Sequence, residues 1–159
     1  MNRLWAPWRM AYVGGGVIPG CIFCNAVAAG DDRKYLVVHR APLAFLILNL
    51  YPYTPAHLMA VPTRHVSTVA EATAEELGAV MRLVGNATTA LAAEYRADGF
   101  NIGINQGRVA GAGVENHLHV HVVPRWAGDT NFMPVLGEVR VLPEALEATY
   151  ERLRSRLGG

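Results

Sequence analysis

The chain has 159 residues, with 14 Lys and Arg against 13 Asp and Glu, a net charge of +1, 52% apolar residues and 17% charged ones. That balance excludes intrinsic disorder, which needs low hydrophobicity and high net charge. It also excludes a dedicated binder of long nucleic acid, which presents a strongly basic face.

The length predicts a single domain, 1–159, large enough to bury a core without disulfide staples. Residues 1–20, rich in Trp, Pro and Gly, read as an N-terminal arm packed on the body. Cys21-Ile22-Phe23-Cys24 leads into an Ala-rich helical segment to Ala29, closed by Gly30. Three β-like stretches follow, Tyr35–His39, Ala44–Asn49 and His57–Val61, with Pro52, Thr54 and Pro55 turning the chain between the second and third. Thr73-Ala74-Glu75-Glu76 has the spacing of a capping box and starts the clearest helix. Its predicted apolar face carries Leu77, Val80, Met81, Val84, Leu91 and Tyr95, and Asp98-Gly99 ends it. Phe100–Asn105 reads as a strand, Gly107–Val114 as a Gly/Ala-rich loop, and His117–Val123 as a second strand stopped by Pro124. A last helix starts at Pro143 and buries Leu146, Tyr150, Leu153 and Leu157. Short-turn strands with helices between and after them predict an α+β fold. Its sheet is largely antiparallel, with the long helix packed on one side, a C-terminal helix, and the other side left to carry function.

No apolar run approaches the roughly 18 residues of a spanning helix; the best, Leu43–Leu48, stops at Asn49. The N-terminus has no signal-type apolar stretch, and two cysteines make no disulfide framework. These features predict a cytoplasmic protein with no membrane partner.

Three of the six histidines fall in His117-Leu118-His119-Val120-His121. On a strand, period two puts the imidazoles on one face, about 6–7 Å apart at the backbone, and Leu118, Val120 and Val122 on the core face. Three uses of such a face are open: a solvated surface, a zinc site built on His-x-His, or a phosphate site. For phosphate, imidazolium donates hydrogen bonds and neutral imidazole is a nucleophile. The preceding loop, Asn105-Gln106-Gly107-Arg108-Val109-Ala110-Gly111-Ala112-Gly113, offers side-chain amides and backbone N–H groups but neither carboxylate nor thiolate. It suits an anion cradle better than a metal. Cys21-x-x-Cys24 is compatible with half a zinc site, a redox pair or two buried thiols. A thioredoxin-like pair needs a parallel βαβ context that is not predicted, and zinc needs two further ligands.

His-Leu-His-Val-His-Val-Val-Pro-Arg, residues 117–125, resembles the signature of the histidine triad nucleotide hydrolases and transferases. The resemblance extends to Cys21-x-x-Cys24, Asn49 eight residues before His57, and Val61-Pro62 followed by His65. The N-terminal LWAPWR, with Arg125-Trp126 and Gly128-Asp129-Thr130-Asn131-Phe132, is most similar to the bacterial diadenosine tetraphosphate phosphorylase branch.

The resemblance implies attack by His119 on the α-phosphorus of a nucleotide ester or anhydride, giving a nucleotidyl-histidine. His121 would donate to phosphoryl oxygens, and water or inorganic phosphate would release the nucleotide. It implies substrate-binding roles for Asn49 (ribose), His57, Asn105, Gln106 and Gly113, with Phe45 and Leu48 as walls for the base. Trp126 would either stack on a base or pack. It implies a structural zinc on Cys21, Cys24, His65 and His117, and a homodimer. Many relatives carry Gly-Gln before the triad; this chain has Ala112-Gly113, a departure compatible with phosphorolysis. Arg9, Arg64, Arg108 and Arg125 are the cationic candidates for polyphosphate, and His39 has no assigned role. The alternatives are a hydrolase of dinucleoside polyphosphates or nucleoside phosphoramidates, and a non-catalytic nucleotide- or zinc-binding module.

Overall fold

A computed structural model describes residues 20–129 and 144–158. The arm, Arg9, Thr130-Asn131-Phe132 and the predicted helix start at Pro143 lie outside the described residues. Five strands form one antiparallel sheet in the order β1-β2-β3-β5-β4: β1 (Val37–Arg40), β2 (Ala44–Leu48), β3 (Leu58–Pro62), β4 (Gly99–Gly103) and β5 (Val120–Arg125). The helices are α1 (Ile22–Ala29), α2 (Asp32–Tyr35), α3 (Ala74–Tyr95) and α4 (Leu146–Leu157).

Alternation along the strands divides the apolar residues between two faces. Leu46, Leu48, Leu58, Ala60, Val120 and Val122 face α3 and α4, where Val80, Leu83, Val84, Leu91 and Leu153 complete the larger core. Val37, Phe45, Ile47, Met59 and Val61 face the other way and are covered by Phe23 and Ala26 of α1. The side expected to stand open is therefore partly roofed by a helix, because the CIFC segment folds back onto it.

The capping box at Thr73 forms as predicted: Thr73 Oγ1 accepts from the Glu76 N–H, and Glu76 Oε2 accepts from the Thr73 N–H. The buried stripe of α3 includes Val80, Val84 and Leu91 of the predicted face but is broader on one side. Ala79, Leu83, Ala87 and Ala90 are buried while Met81 is 55% exposed, because small alanines let the helix lie close to the sheet and Met81 sits one step off that stripe. The helix stops earlier than Asp98-Gly99, at Arg96 in the left-handed region (φ 50°). β5 begins at Val120 rather than His117 and runs through Pro124 instead of stopping there. Its ladder to β3 ends at Val122, so the missing N–H of Pro124 forfeits no bond on that side. The Pro124 carbonyl instead accepts from Thr54 Oγ1 at 3.0 Å. Among the described residues, β4 pairs with β5 alone and is an edge strand. No helix among the described residues is long and apolar enough to cross a membrane.

Candidate nucleotide-transfer site and metal cluster

Cys21 caps α1 and Cys24 lies in its first turn, so both thiols project from the start of the helix. His65 follows β3, and His117 immediately precedes β5. The four ligand atoms of Cys21, Cys24, His65 and His117 lie within 4.8 Å of one another. His117 Nδ1 is 3.3 Å from Cys21 Sγ and 3.6 Å from Cys24 Sγ, and His65 Nδ1 is 3.1 Å from Cys24 Sγ. A tetrahedral zinc with ordinary Zn–S and Zn–N bonds separates its ligands by about 3.5 Å. His117 Nε2 donates to the Pro62 carbonyl at 2.9 Å. That bond fixes the tautomer and leaves the lone pair on Nδ1, the atom facing the thiols. Burial and the neighbouring Cys21 raise the Cys24 thiol pKa, an effect a cation would reverse. These four residues can hold a metal.

His119 is 4% exposed, and its Nδ1 donates to the His117 carbonyl at 2.8 Å. A carbonyl can only accept, so the proton sits on Nδ1 and the lone pair on Nε2. Burial lowers the His119 pKa, partly offset by that carbonyl, and favours the neutral ring. A neutral imidazole with a fixed lone pair is equipped for nucleophilic attack.

A second chain of hydrogen bonds fixes His121. The Tyr53 backbone N–H donates to His57 Nδ1 at 3.2 Å, and the Asn49 amide Nδ2 approaches the same atom at 3.3 Å. The Tyr51 N–H donates to Asn49 Oδ1 and so orients that amide. His57 must then carry its proton on Nε2, which donates to His121 Nδ1 at 2.9 Å. The proton of His121 is thereby confined to Nε2, a donor available to a bound oxyanion. Burial, and then the His121 and His119 rings, push the His57 pKa down to about 3. Burial and His119 push that of His121 down to about 4. The His119 and His121 rings meet edge to face at 4.9 Å, so an N–H donor and an imidazole lone pair are held side by side.

The HIT domain model matches residues 32–128. Over 96% of this chain, the sequence is 40% identical to AP-4-A phosphorylase of Mycobacterium tuberculosis, 83% of which is covered. The chain belongs to the histidine triad, or HIT, family. The bis(5'-adenosyl)-triphosphatase of Dictyostelium discoideum is 32% identical over 58% of this chain and 62% of its own. A Zn-bound histidine triad family protein from Mycobacterium smegmatis superposes with a TM-score of 0.71 at 26% identity, covering 87% of this chain and 94% of that one.

Within this HIT fold the other predicted residues divide. Gly103 is paired with His121, where the β4–β5 ladder ends, and Asn105 follows two residues beyond that pair. Gln106 is exposed, and its Oε1 accepts from the Val69 N–H at 2.9 Å, tying the loop to the segment after β3. Gly113 is exposed, with no atom within 4 Å of where a Cβ would stand. Trp126 does not join the cluster. It lies five residues past His121, about 16 Å along the strand, and its Nε1 donates to the Tyr95 carbonyl at 2.9 Å. Leu48 faces the α3 core and cannot wall the site, and Phe45 is buried beneath Phe23.

Three of the arginine candidates are committed to ion pairs: Arg64 with Glu76, Arg108 with Glu115 and Arg125 with Asp129. Phe23 and Tyr53 were not predicted at the site. Phe23 contacts the His117 and His119 rings, and Tyr53 contacts those of His57 and His121. An aromatic inside CIFC, and one four residues before His57, were the available signals.

Proposed function

We propose that this HIT protein is a nucleotidyltransferase that cleaves dinucleoside polyphosphates of the diadenosine tetraphosphate type by phosphorolysis, through a nucleotidyl intermediate on His119. The observation that carries this reading is the pair of fixed tautomers: a lone pair on His119 Nε2 beside an N–H on His121 Nε2. The 40% identity to a protein named AP-4-A phosphorylase supports the substrate class and the choice of phosphate as acceptor.

His119 Nε2 attacks the α-phosphorus. The P–N bond forms as the bond to the departing nucleoside polyphosphate breaks, with its electron pair left on the leaving oxygen. At neutral pH that oxygen leaves as part of a polyphosphate anion and needs no added proton. His121 Nε2–H supports the charge on the non-bridging oxygens, where a preorganised donor has its largest effect. The positive charge on the substituted His119 ring is met by the His117 carbonyl through Nδ1–H. An oxygen of inorganic phosphate then attacks phosphorus, the P–N bond breaks, and His119 recovers its lone pair. Diadenosine tetraphosphate and phosphate thus give ATP and ADP. Asn49, His57, Asn105, Gln106 and Gly113 are proposed to line the substrate and acceptor paths. Asn105 is supported by its place two residues beyond the Gly103–His121 pair, and Gly113 by an open position where relatives carry Gln.

A structural zinc on Cys21, Cys24, His65 and His117 is part of the proposal. When bound, it supplies a fixed anchor at the start of the triad strand. A homodimer is proposed as well, supported by the edge position of β4 with Ile102 and Ile104 exposed on and beside it. Sedimentation equilibrium reading one chain mass would contradict it.

Incubation with diadenosine tetraphosphate, with and without inorganic phosphate, tests the function. Phosphate-dependent formation of ATP plus ADP is the expected result. Release of AMP independent of phosphate would replace the phosphorylase by a hydrolase.

A further inference from the structure

Phe23 is fully buried, and its position is dictated by its neighbours in sequence. It lies between Cys21 and Cys24, at the start of an eight-residue helix too short to be stable alone. Three things hold that helix to the sheet: the burial of Phe23 and Ala26 against Phe45, Met59 and Val61, a hydrogen bond from Arg40 Nη2 to the Ala26 carbonyl at 2.7 Å, and the convergence of its two thiols with His65 and His117. The Phe23 ring meets His117 edge to face, with centroids 5.3 Å apart and planes at 77°, and lies against His119 at 5.3 Å and 50°. The residue between the two thiols therefore touches both a ligand of the metal cluster and the ring assigned to attack phosphorus. His119 is held from its other side by a hydrogen bond to the carbonyl of His117. Beside the His121 ring, two supports of the His119 ring thus originate in the candidate metal cluster: one is the backbone of His117, the other the side chain between Cys21 and Cys24.

We propose that Phe23 is a positioning residue for His119: fixed by the Cys21–Cys24 turn, it holds the imidazole in the plane that keeps Nδ1–H on the His117 carbonyl and aims Nε2 at the substrate. The inference rests on the assignment of His119 as nucleophile. Phe23 touches no substrate in this account and acts only through the ring. A tilt of that ring loosens the Nδ1–H bond and lets the other tautomer, protonated on Nε2, form. The lone pair would then no longer face phosphorus.

The test is Phe23→Leu in the metal-loaded full-length protein, with Phe23→Ala as the severe variant. Leucine keeps the site apolar and fills most of the volume but has no flat ring. The quantities read are zinc content, the protonated nitrogen of His119 by ¹H–¹⁵N imidazole correlation, and steady-state kcat and KM. In Phe23→Leu the expected result is retained zinc, a His119 signal shifted toward the Nε2–H tautomer, kcat about ten-fold lower, and KM within two-fold of the parent. An unchanged His119 tautomer with kcat within two-fold would overturn the proposal, as would loss of kcat with the tautomer intact. If Phe23→Ala fails to fold, the leucine variant decides. Failure of the underlying assignment gives a different pattern: the unmodified protein turns over substrate yet carries no nucleotide on His119.

Discussion

All four histidines around the proposed reaction centre have their ring protons placed by a hydrogen-bonded neighbour, that of His117 by the Pro62 carbonyl. The His117 carbonyl places the proton of His119, and the Tyr53 N–H places that of His57 and, through it, that of His121. Replacing His119 with Ala is expected to lower turnover by at least a thousand-fold, with nucleotide binding retained by equilibrium dialysis; an activity within ten-fold of the parent would remove the covalent mechanism.

The His57 and His121 pKa values are depressed to about 3 and about 4, so the unfolded chain binds protons there before the folded one does. Their contribution to stability is whole above the ordinary histidine value near 6.5 and is lost as pH falls from there through 4 and 3. On the order of a few kcal/mol should disappear over that range, readable as a falling midpoint in urea titrations. Activity should share the acid limb, because protonating His121 on Nδ1 breaks the bond from His57. These assignments were not legible in the sequence. Period two placed the rings on one face, but which nitrogen carries a proton depends on a turn carbonyl and on a backbone N–H at Tyr53.

At the level of elements, the capping box was readable because it is local: Thr73 and Glu76 are three residues apart and satisfy each other's N–H groups. Thr73→Ala should cost about 1 kcal/mol, seen as a lower thermal midpoint with unchanged KM. Arg64 makes the same junction part of the site. Its paired hydrogen bonds to Glu76 hold that carboxyl down to about 2 and anchor the connection carrying His65.

The CIFC segment was legible as chemistry but not as architecture. Its cysteines announced themselves by spacing, whereas the roofing of the histidine face by α1 depends on Phe23 packing against Phe45, more than twenty residues away. Cys24→Ser should reduce bound zinc to well below one equivalent by elemental analysis and lower the thermal midpoint; full retention of metal would count against the four-ligand site. The exposure of Met81 on α3 has a related origin. Large apolar residues drew the predicted stripe toward Met81, while alanines at 79, 87 and 90 set the close contact with the sheet.

Across the whole molecule, a chain with a net charge of +1 is read as handling a polyanion without a basic surface. Arg64, Arg108 and Arg125, three of the four cations that sequence alone offered for polyphosphate, hold carboxylates instead, and the fourth, Arg9, lies outside the described residues. Among the described residues, the imidazoles around His119 and the Gly-rich loop that precedes the triad in sequence are donors suited to a short phosphate chain and not to a long one. The antiparallel α+β architecture was legible from strand lengths and turn residues. The far placement of Trp126 was not, because it depends on β5 continuing through Pro124.

The central claim is that His119 becomes covalently nucleotidylated during turnover, and acid-stable handling is the wrong way to look for it, since a P–N bond is acid-labile. Rapid quenching into alkaline denaturant, followed by peptide mass mapping, is the direct measurement. The account predicts one nucleotidyl group on the peptide containing His119, formed as fast as turnover and discharged by inorganic phosphate. A fully active enzyme with that peptide unmodified, or modified at another residue, would contradict it.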